Sequence, residues 1–309
     1  MRNLSIDYLK VLLAFFIILL HLNFLNDSYP KLNFILVNGL FRLAVPLYFI
    51  ITGYYFFNIN SSLKLKEWLK RISILYLFWM LFYFPLWGVY RSLTSIIINL
   101  IFGYFALWYL IAVLLAGSVL YYLRNTKFIS LLVLSVVLYI VGYVTQQIGN
   151  LHLFNGKIDQ ILNIHIISRN FLFDALPLLS IGYLIKKYNI DKKIIISKLL
   201  IIISIVLVIL ESYINYIYIS KTEPLDFLLT ILFAAPIIFL YVKNIKIIGN
   251  NKFLAYFSTG LFLIHPFFIR VYDYFLLESK INKVFFVLIT SCISSYILLR
   301  INNKIKYLL

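Results

Sequence analysis

The chain has 309 residues, of which 63% are hydrophobic and only 13% charged, with a mean hydropathy of +0.96. Soluble globular chains run nearer about 45–50% apolar and about 25% charged, so secreted modules, disordered tails, coiled coils and cytosolic enzymes are excluded. The formal charge of +17, from 28 Lys and Arg against 11 acidic residues, would suit nucleic acid. Here, however, the basic residues cluster between apolar runs, as in cytoplasmic loops of membrane proteins. The expected partner is the lipid bilayer, with no nucleic acid.

A helix that crosses the hydrocarbon needs about 20 mainly apolar residues. Ten runs of roughly that length stand between charged or Asn-rich stretches, at 4–25, 33–57, 69–90, 105–123, 128–148, 168–187, 194–218, 225–243, 252–273 and 281–301. This predicts an all-α polytopic membrane protein with about ten transmembrane helices, both termini cytoplasmic, and a single integral membrane domain over 1–309. Pro85, Gly88 and Arg91 mark 85–105 as a place for an interfacial or re-entrant piece. With the amino terminus inside, nineteen basic residues fall on the inner side and eight on the outer, and Arg42 alone is assigned to neither side, being well inside a span. That is the asymmetry of the positive-inside rule. Arg2 and the run after it, with no small-residue cleavage site before Asn26 and Asp27, read as a retained first span. Cys292 is the sole cysteine, which excludes an intramolecular disulfide and a Cys-based metal site. His21, His152, His165 and His265 fall at no metal-ligand spacing, so no metal is expected.

Ionisable groups inside spans are costly and tend to face a cavity or a partner, which makes them informative. In the first span Lys10 and His21 are eleven residues apart, on one stripe and about 16 Å apart along the axis. Asp7 lies on the same side. Asp7 and Lys10 also suit plain interfacial anchors, and His21 an interfacial histidine. In the second span Asn38 and Arg42 stand at i, i+4, and Pro46 is expected to kink the helix beside them. Arg42 keeps its proton, so it needs water, an acidic group or a substrate anion. Trp108 and Tyr109 open the fourth span, where aromatic belts are ordinary. In the sixth, Asn170 and Asp174 share a face beside Arg169. In the ninth, Ser258 and His265 share a face, with Pro266 next. His21, Arg42, Arg169, Asn170 and His265 all fall on the outer half, which predicts a shared polar cavity there.

Five local patterns carry a resemblance. They are Lys10 with His21; Val45-Pro46-Leu47-Tyr48-Phe49-Ile50-Ile51-Thr52-Gly53-Tyr54; Leu107-Trp108-Tyr109-Leu110; Arg169-Asn170-Phe171-Leu172-Phe173; and Leu263-Ile264-His265-Pro266. In this order, over nearly the whole chain, they resemble the acyltransferase family 3 of integral membrane proteins, including the related membrane domains of vancomycin-resistance-type serine racemases. Lys10 stands where arginine is common, Thr52 where serine is common, and Phe171 where glycine is common in the racemase-type branch.

The resemblance implies a ten-helix, multi-pass protein of a bacterial cell membrane that moves an acyl group, usually acetyl from acetyl-CoA, onto a hydroxyl of a surface glycan or envelope precursor. It implies His21 as the catalytic residue. The remaining roles follow from placement: Arg42 at the reacting centre, either on the developing oxyanion or on an anionic substrate group, and Trp108, Arg169, Asn170 and His265 as substrate contacts. Lys10 would meet the anionic end of the acyl-CoA, helped by Lys64, Lys66 and Arg71. Two other classes stay open, a transporter or exporter of a small envelope precursor or amino acid and a non-catalytic sensor. A homo-oligomer also stays open.

Overall fold

The computed structural model describes residues 2–89, 91–275, 280–302, 304–305 and 308–309, without the side chains of Arg2, Lys280 and Ile281. The placement expected for the charges of Arg2, Lys280 and Lys306 therefore lies outside the described residues. In chain order come β1 (Arg2–Asn3), α1 (Ser5–Leu22), α2 (Pro30–Asn38), α3 (Ala44–Phe56), α4 (Ser62–Phe82) and the short α5 (Phe84–Trp87) and α6 (Leu93–Phe102). Next are α7 (Trp108–Leu123), α8 (Phe128–Asn150), the short α9 (Lys157–Leu162) and α10 (His165–Ser168), α11 (Leu176–Lys187) and α12 (Ile190–Lys193). The last are α13 (Lys198–Tyr218), α14 (Ile231–Asn244), β2 (Ile248–Gly249), α15 (Phe253–Phe275) and α16 (Lys280–Asn302).

Each of the ten predicted runs contains a helix. Among the described residues, seven segments are long and apolar enough to cross a membrane: Ser5–Leu22, Pro30–Phe56, Phe105–Leu123, Phe128–Asn150, Lys198–Tyr218, Phe253–Phe275 and Asn282–Asn302. The other three fall short for local reasons. Helix α4 opens with Lys64, Lys66, Glu67, Lys70 and Arg71, and α11 and α14 have only 12 and 14 residues. The 85–105 stretch is not a simple loop, because α5 and α6 occupy most of it.

Four predicted boundaries need correction. Helix α4 starts at Ser62 and ends at Phe82, not 69–90, because Ser61 caps it by accepting from the Lys64 N–H at 3.3 Å. The second span breaks at Gly39, ahead of Pro46: a 3-10 turn over Leu40–Leu43 separates α2 from α3. Pro46 lies in the first turn of α3, where its missing N–H has no intrahelical acceptor to lose. The sixth span opens with a π turn over Phe171–Ala175, capped by the Asn170 side chain. Residues 225–230 are not helical, so the eighth span begins at Ile231.

That last segment is irregular chain inside the bundle, with Leu225, Phe227 and Leu228 at most 1% exposed. Backbone in such a place must find partners within the protein. Gln146 Oε1 accepts from the N–H groups of Asp226 (2.6 Å) and Phe227 (2.8 Å), and its Nε2 donates to Phe227 O at 2.9 Å. Tyr139 Oη donates to Leu228 O, Asn38 Oδ1 accepts from Leu225 N–H, and Glu211 accepts from the N–H groups of Leu229 and Thr230. Polar side chains of three otherwise apolar helices thus hold the segment open.

Helix α3 crosses α11 with backbones in contact. A Cβ on Gly53 would lie 1.9 Å from Leu179 O, and one on Gly182 would lie 2.1 Å from Ile50 O. Small residues permit this close approach, the usual device of helix packing in membranes. Helix α1 packs on α15, and α15 on α16. At one end β1 pairs antiparallel with β2, Asn3 opposite Ile248, and the Asn3 amide donates to Lys243 O and Ile245 O. The start of α1 and the 245–249 loop therefore lie on one side.

Candidate functional site

The break between α2 and α3 turns Arg42 toward the irregular 225–230 segment. Arg42 Nη1 donates to Asp226 Oδ1, and Arg169 Nη1 donates to the same oxygen at 3.2 Å. His165 Nδ1 lies 3.8 Å from Asp226 Oδ2. The Asp226 side chain is only 6% exposed, so this is a buried carboxylate shared by two guanidiniums. Arg42 Nη2 also donates to Asn38 Oδ1 at 3.4 Å, the expected i, i+4 contact. Arg169 stacks over the Trp108 ring, 4.9 Å from its centroid, a cation–π arrangement. Asp174, buried in the π turn, is a second carboxylate within electrostatic reach of both arginines.

His21 occupies the last turn of α1, and His265 the middle of α15. Because α1 and α15 pack together, the imidazoles stack, with centroids 5.5 Å apart and planes at 20°. His265 is fully buried; its Nδ1 lies 3.2 Å from Leu261 O, while its Nε2 has no hydrogen-bond partner. His21 is partly buried, lies 4.5 Å from the Phe105 ring centroid, and is within electrostatic reach of Arg42, Arg169 and Asp226.

Two cavities flank this layer. The first, about 410 Å³, is lined by Lys10, Arg71 and Lys252 together with Tyr48, Thr52 and Tyr109, and also by Ile17 and Phe262. Ile17 is one turn before His21 on α1, and the Phe262 ring is 6.2 Å from His265. Tyr48 Oη donates to Lys10 O at 2.6 Å, and Thr52 Oγ1 and Tyr109 Oη share a hydrogen bond at 3.0 Å. The second, about 440 Å³, is lined by Phe105, Trp108, His165, Arg169 and Asn170 at its polar side and by residues such as Ile98, Ile101 and Leu115 elsewhere.

The residues expected to share an outer cavity fall into neighbouring groups. His21 pairs with His265, Arg42 and Arg169 meet on Asp226, and Trp108, Arg169 and Asn170 border the second cavity. Lys10 is in the first. The Asn170 amide is engaged with backbone, accepting from Leu172 and Phe173 N–H and donating to Ile166 and Ile167 O. It shapes the turn behind Arg169.

This arrangement matches a known family over almost its full extent. The family model described as acyltransferase domain, that of acyltransferase 3, matches residues 3–300. The chain belongs to the acyltransferase 3 family. Among curated proteins it is 25% identical to an amino-acid racemase of Enterococcus faecalis, over 99% of this chain and 47% of that one. It is 26% identical to a serine/alanine racemase of Enterococcus gallinarum, over 86% of this chain and 41% of that one. The chain thus spans less than half the length of these relatives. No solved structure matches it.

The acyltransferase 3 chain also carries site residues that sequence reasoning passed over. Asp226 was counted within an apolar run, Lys252 as a loop charge, and Tyr48 as part of a motif. The signal that could have found Asp226 is the set of polar residues Asn38, Gln146 and Glu211 inside apolar helices, which have no reason to be there unless unwound backbone needs them.

Proposed function

We propose that this acyltransferase 3 protein moves an acyl group, most simply acetyl, from a cytosolic acyl-CoA to a hydroxyl of a cell-surface glycan or envelope precursor in a bacterial membrane crossed by ten helices. The observation that carries the reading is the placement of His21 and His265 between a cavity with three basic residues and a second, chemically different cavity. Acyl-CoA bound in the first supplies a thioester-activated acyl group. Lys10, Arg71 and Lys252 would hold its phosphates as lysine and arginine commonly do. The Tyr48 and Tyr109 hydroxyls, one donating to Lys10 O and the other hydrogen-bonded with Thr52 Oγ1, are polar groups along the wall between those phosphates and His21. His21 takes the proton of the acceptor hydroxyl as general base, a role suited to imidazole. Arg42, held by Asp226, faces the negative charge that develops on the carbonyl oxygen, while Trp108, Arg169 and His165 meet the acceptor.

The test is purified protein in nanodiscs with radiolabelled acetyl-CoA. Wild type is expected to pass label to water, to itself or to an added glycan. A folded His21→Ala variant should lose about 10²-fold or more, the usual contribution of general-base catalysis, and Arg42→Ala a similar factor. A folded wild type that neither binds nor consumes acyl-CoA overturns the reading.

One observation favours a second reading, transport of a small envelope precursor or amino acid. The break at Gly39–Leu43 in the first half meets, at Arg42 and Asp226, the buried irregular chain at 225–230 that leads into α14 in the second. Unwound backbone of this kind near a broken helix also forms transporter sites. Uptake of labelled serine into proteoliposomes without acyl-CoA would support it.

A further inference from the structure

Phe105 is the element that separates His21 from the second cavity. Its ring is 4.5 Å from the His21 ring and 6.4 Å from that of His265, and it lines the cavity on the other side. Its backbone is in the left-handed region, φ +51°. A bulky side chain rarely adopts that conformation, and strained residues of this kind gather at functional sites where the surroundings hold them. The surroundings here are explicit. Gly103, two residues earlier, has φ +86°, and a Cβ there would lie 2.6 Å from Trp108 N, so the loop is pressed onto the first turn of α7. Leu107 N–H donates to Tyr104 O at 2.9 Å. The Arg270 guanidinium lies 5.7 Å from the Phe105 ring centroid.

We propose that Phe105 determines the choice between acceptor and water at His21: its ring covers the histidine until an acceptor entering the second cavity displaces it. The inference rests on the acyltransferase reading for its chemistry. In transfer, the acceptor oxygen bonds to the acyl carbon, the C–S bond breaks, and the hydroxyl proton passes through His21 to the departing CoA thiolate. Water in the same position would give the free carboxylic acid and CoA. A residue that keeps water from His21 while the acyl-CoA is bound suppresses that loss. Closure through a strained turn suits the task, because release of a left-handed backbone at residue 105 would re-aim the ring.

The experiment has two independent readings, both on the full-length protein in nanodiscs. CoA release from acetyl-CoA without acceptor is expected to rise about tenfold in Phe105→Ala, as water gains access to the site, and to stay near wild type in Phe105→Leu, which keeps the bulk. Carbethoxylation of His21 by diethyl pyrocarbonate, followed by peptide mass spectrometry, should accelerate by a similar factor in Phe105→Ala, with exposed His152 as the unchanged reference. Phe105→Gly, which suits a left-handed backbone, replaces the alanine variant if that does not fold. Labelling of His21 as fast in wild type as in the opened variant overturns the proposal. If no variant consumes acetyl-CoA yet His21 labelling accelerates, the covering role stands and the acyltransferase reading falls.

Discussion

Asp226 joins two guanidiniums from different parts of the chain, 184 and 57 residues away in sequence. Removing one partner of a buried ionic cluster leaves the others uncompensated, which costs about 3–5 kcal/mol. Asp226→Ala is therefore expected to lower the thermal unfolding temperature in detergent and to abolish acyl-CoA turnover. An unchanged unfolding temperature would show that the arginines find other anions. At the exposed end, His152 Nδ1 is 2.9 Å from Asp159 Oδ2, and this hydrogen bond and the carboxylate charge raise the imidazole pKa. The folded form thus holds its proton more tightly than the unfolded one. The contribution is present below the ordinary value of about 6.5 and lost as pH rises through the raised one. An NMR titration should place His152 above the ordinary histidine range, and Asp159→Asn should bring it back down. Single residues of this kind were legible in the sequence where they stood alone in apolar runs, as His21, Arg42, Arg169 and His265 did. Asp226 was not, because at the edge of a run a carboxylate looks like a loop residue until its distant partners are known.

Helices were readable from apolar run length, but their interruptions were not. The break beside Arg42 was expected from Pro46, yet Gly39 makes it, since a Cβ there would lie 2.4 Å from Ile35 O and 3.0 Å from Ser212 Cβ of α13. The Ser212 part of that crowding comes from a helix far away in sequence, which local propensity does not contain. The α3–α11 crossing is similar: Gly53 looked like part of a motif, and its role becomes apparent only against Leu179. Gly182→Ala should force these helices apart, with an overpacking cost of about 1–3 kcal/mol and lower turnover, because α3 carries Tyr48 and Thr52. The 225–230 segment depends on Gln146, whose amide makes three hydrogen bonds to it. Gln146→Leu leaves three buried backbone groups unsatisfied, at about 1–3 kcal/mol each. The expected result is a lower unfolding temperature and faster hydrogen exchange at Asp226 and Phe227. Unchanged exchange there would mean the segment is held by its apolar contacts alone.

At the scale of the whole molecule, the proposed ten-helix arrangement, with Lys10, Arg71 and Lys252 on the cytosolic side, makes a direct prediction. Topology reporters placed after Lys127 and after Asn155, at either end of α8, should report opposite sides of the membrane. The same side for both would remove the ten-span arrangement and the division into donor and acceptor cavities. The short strand pair formed by β1 and β2 has a further effect. Asn3 is paired with Ile248, and His21 is 18 residues beyond the first while His265 is 17 beyond the second. The chain is helical from Ser5 in one case and from Phe253 in the other, and the two segments that leave this common origin bring their imidazoles together. The clasp acts as a datum line for chemistry about 24 Å beyond Ser5 along α1, at about 1.5 Å per residue. A single residue inserted within α15 between Phe253 and His265 would turn His265 by about 100° relative to the start of that helix without touching either histidine.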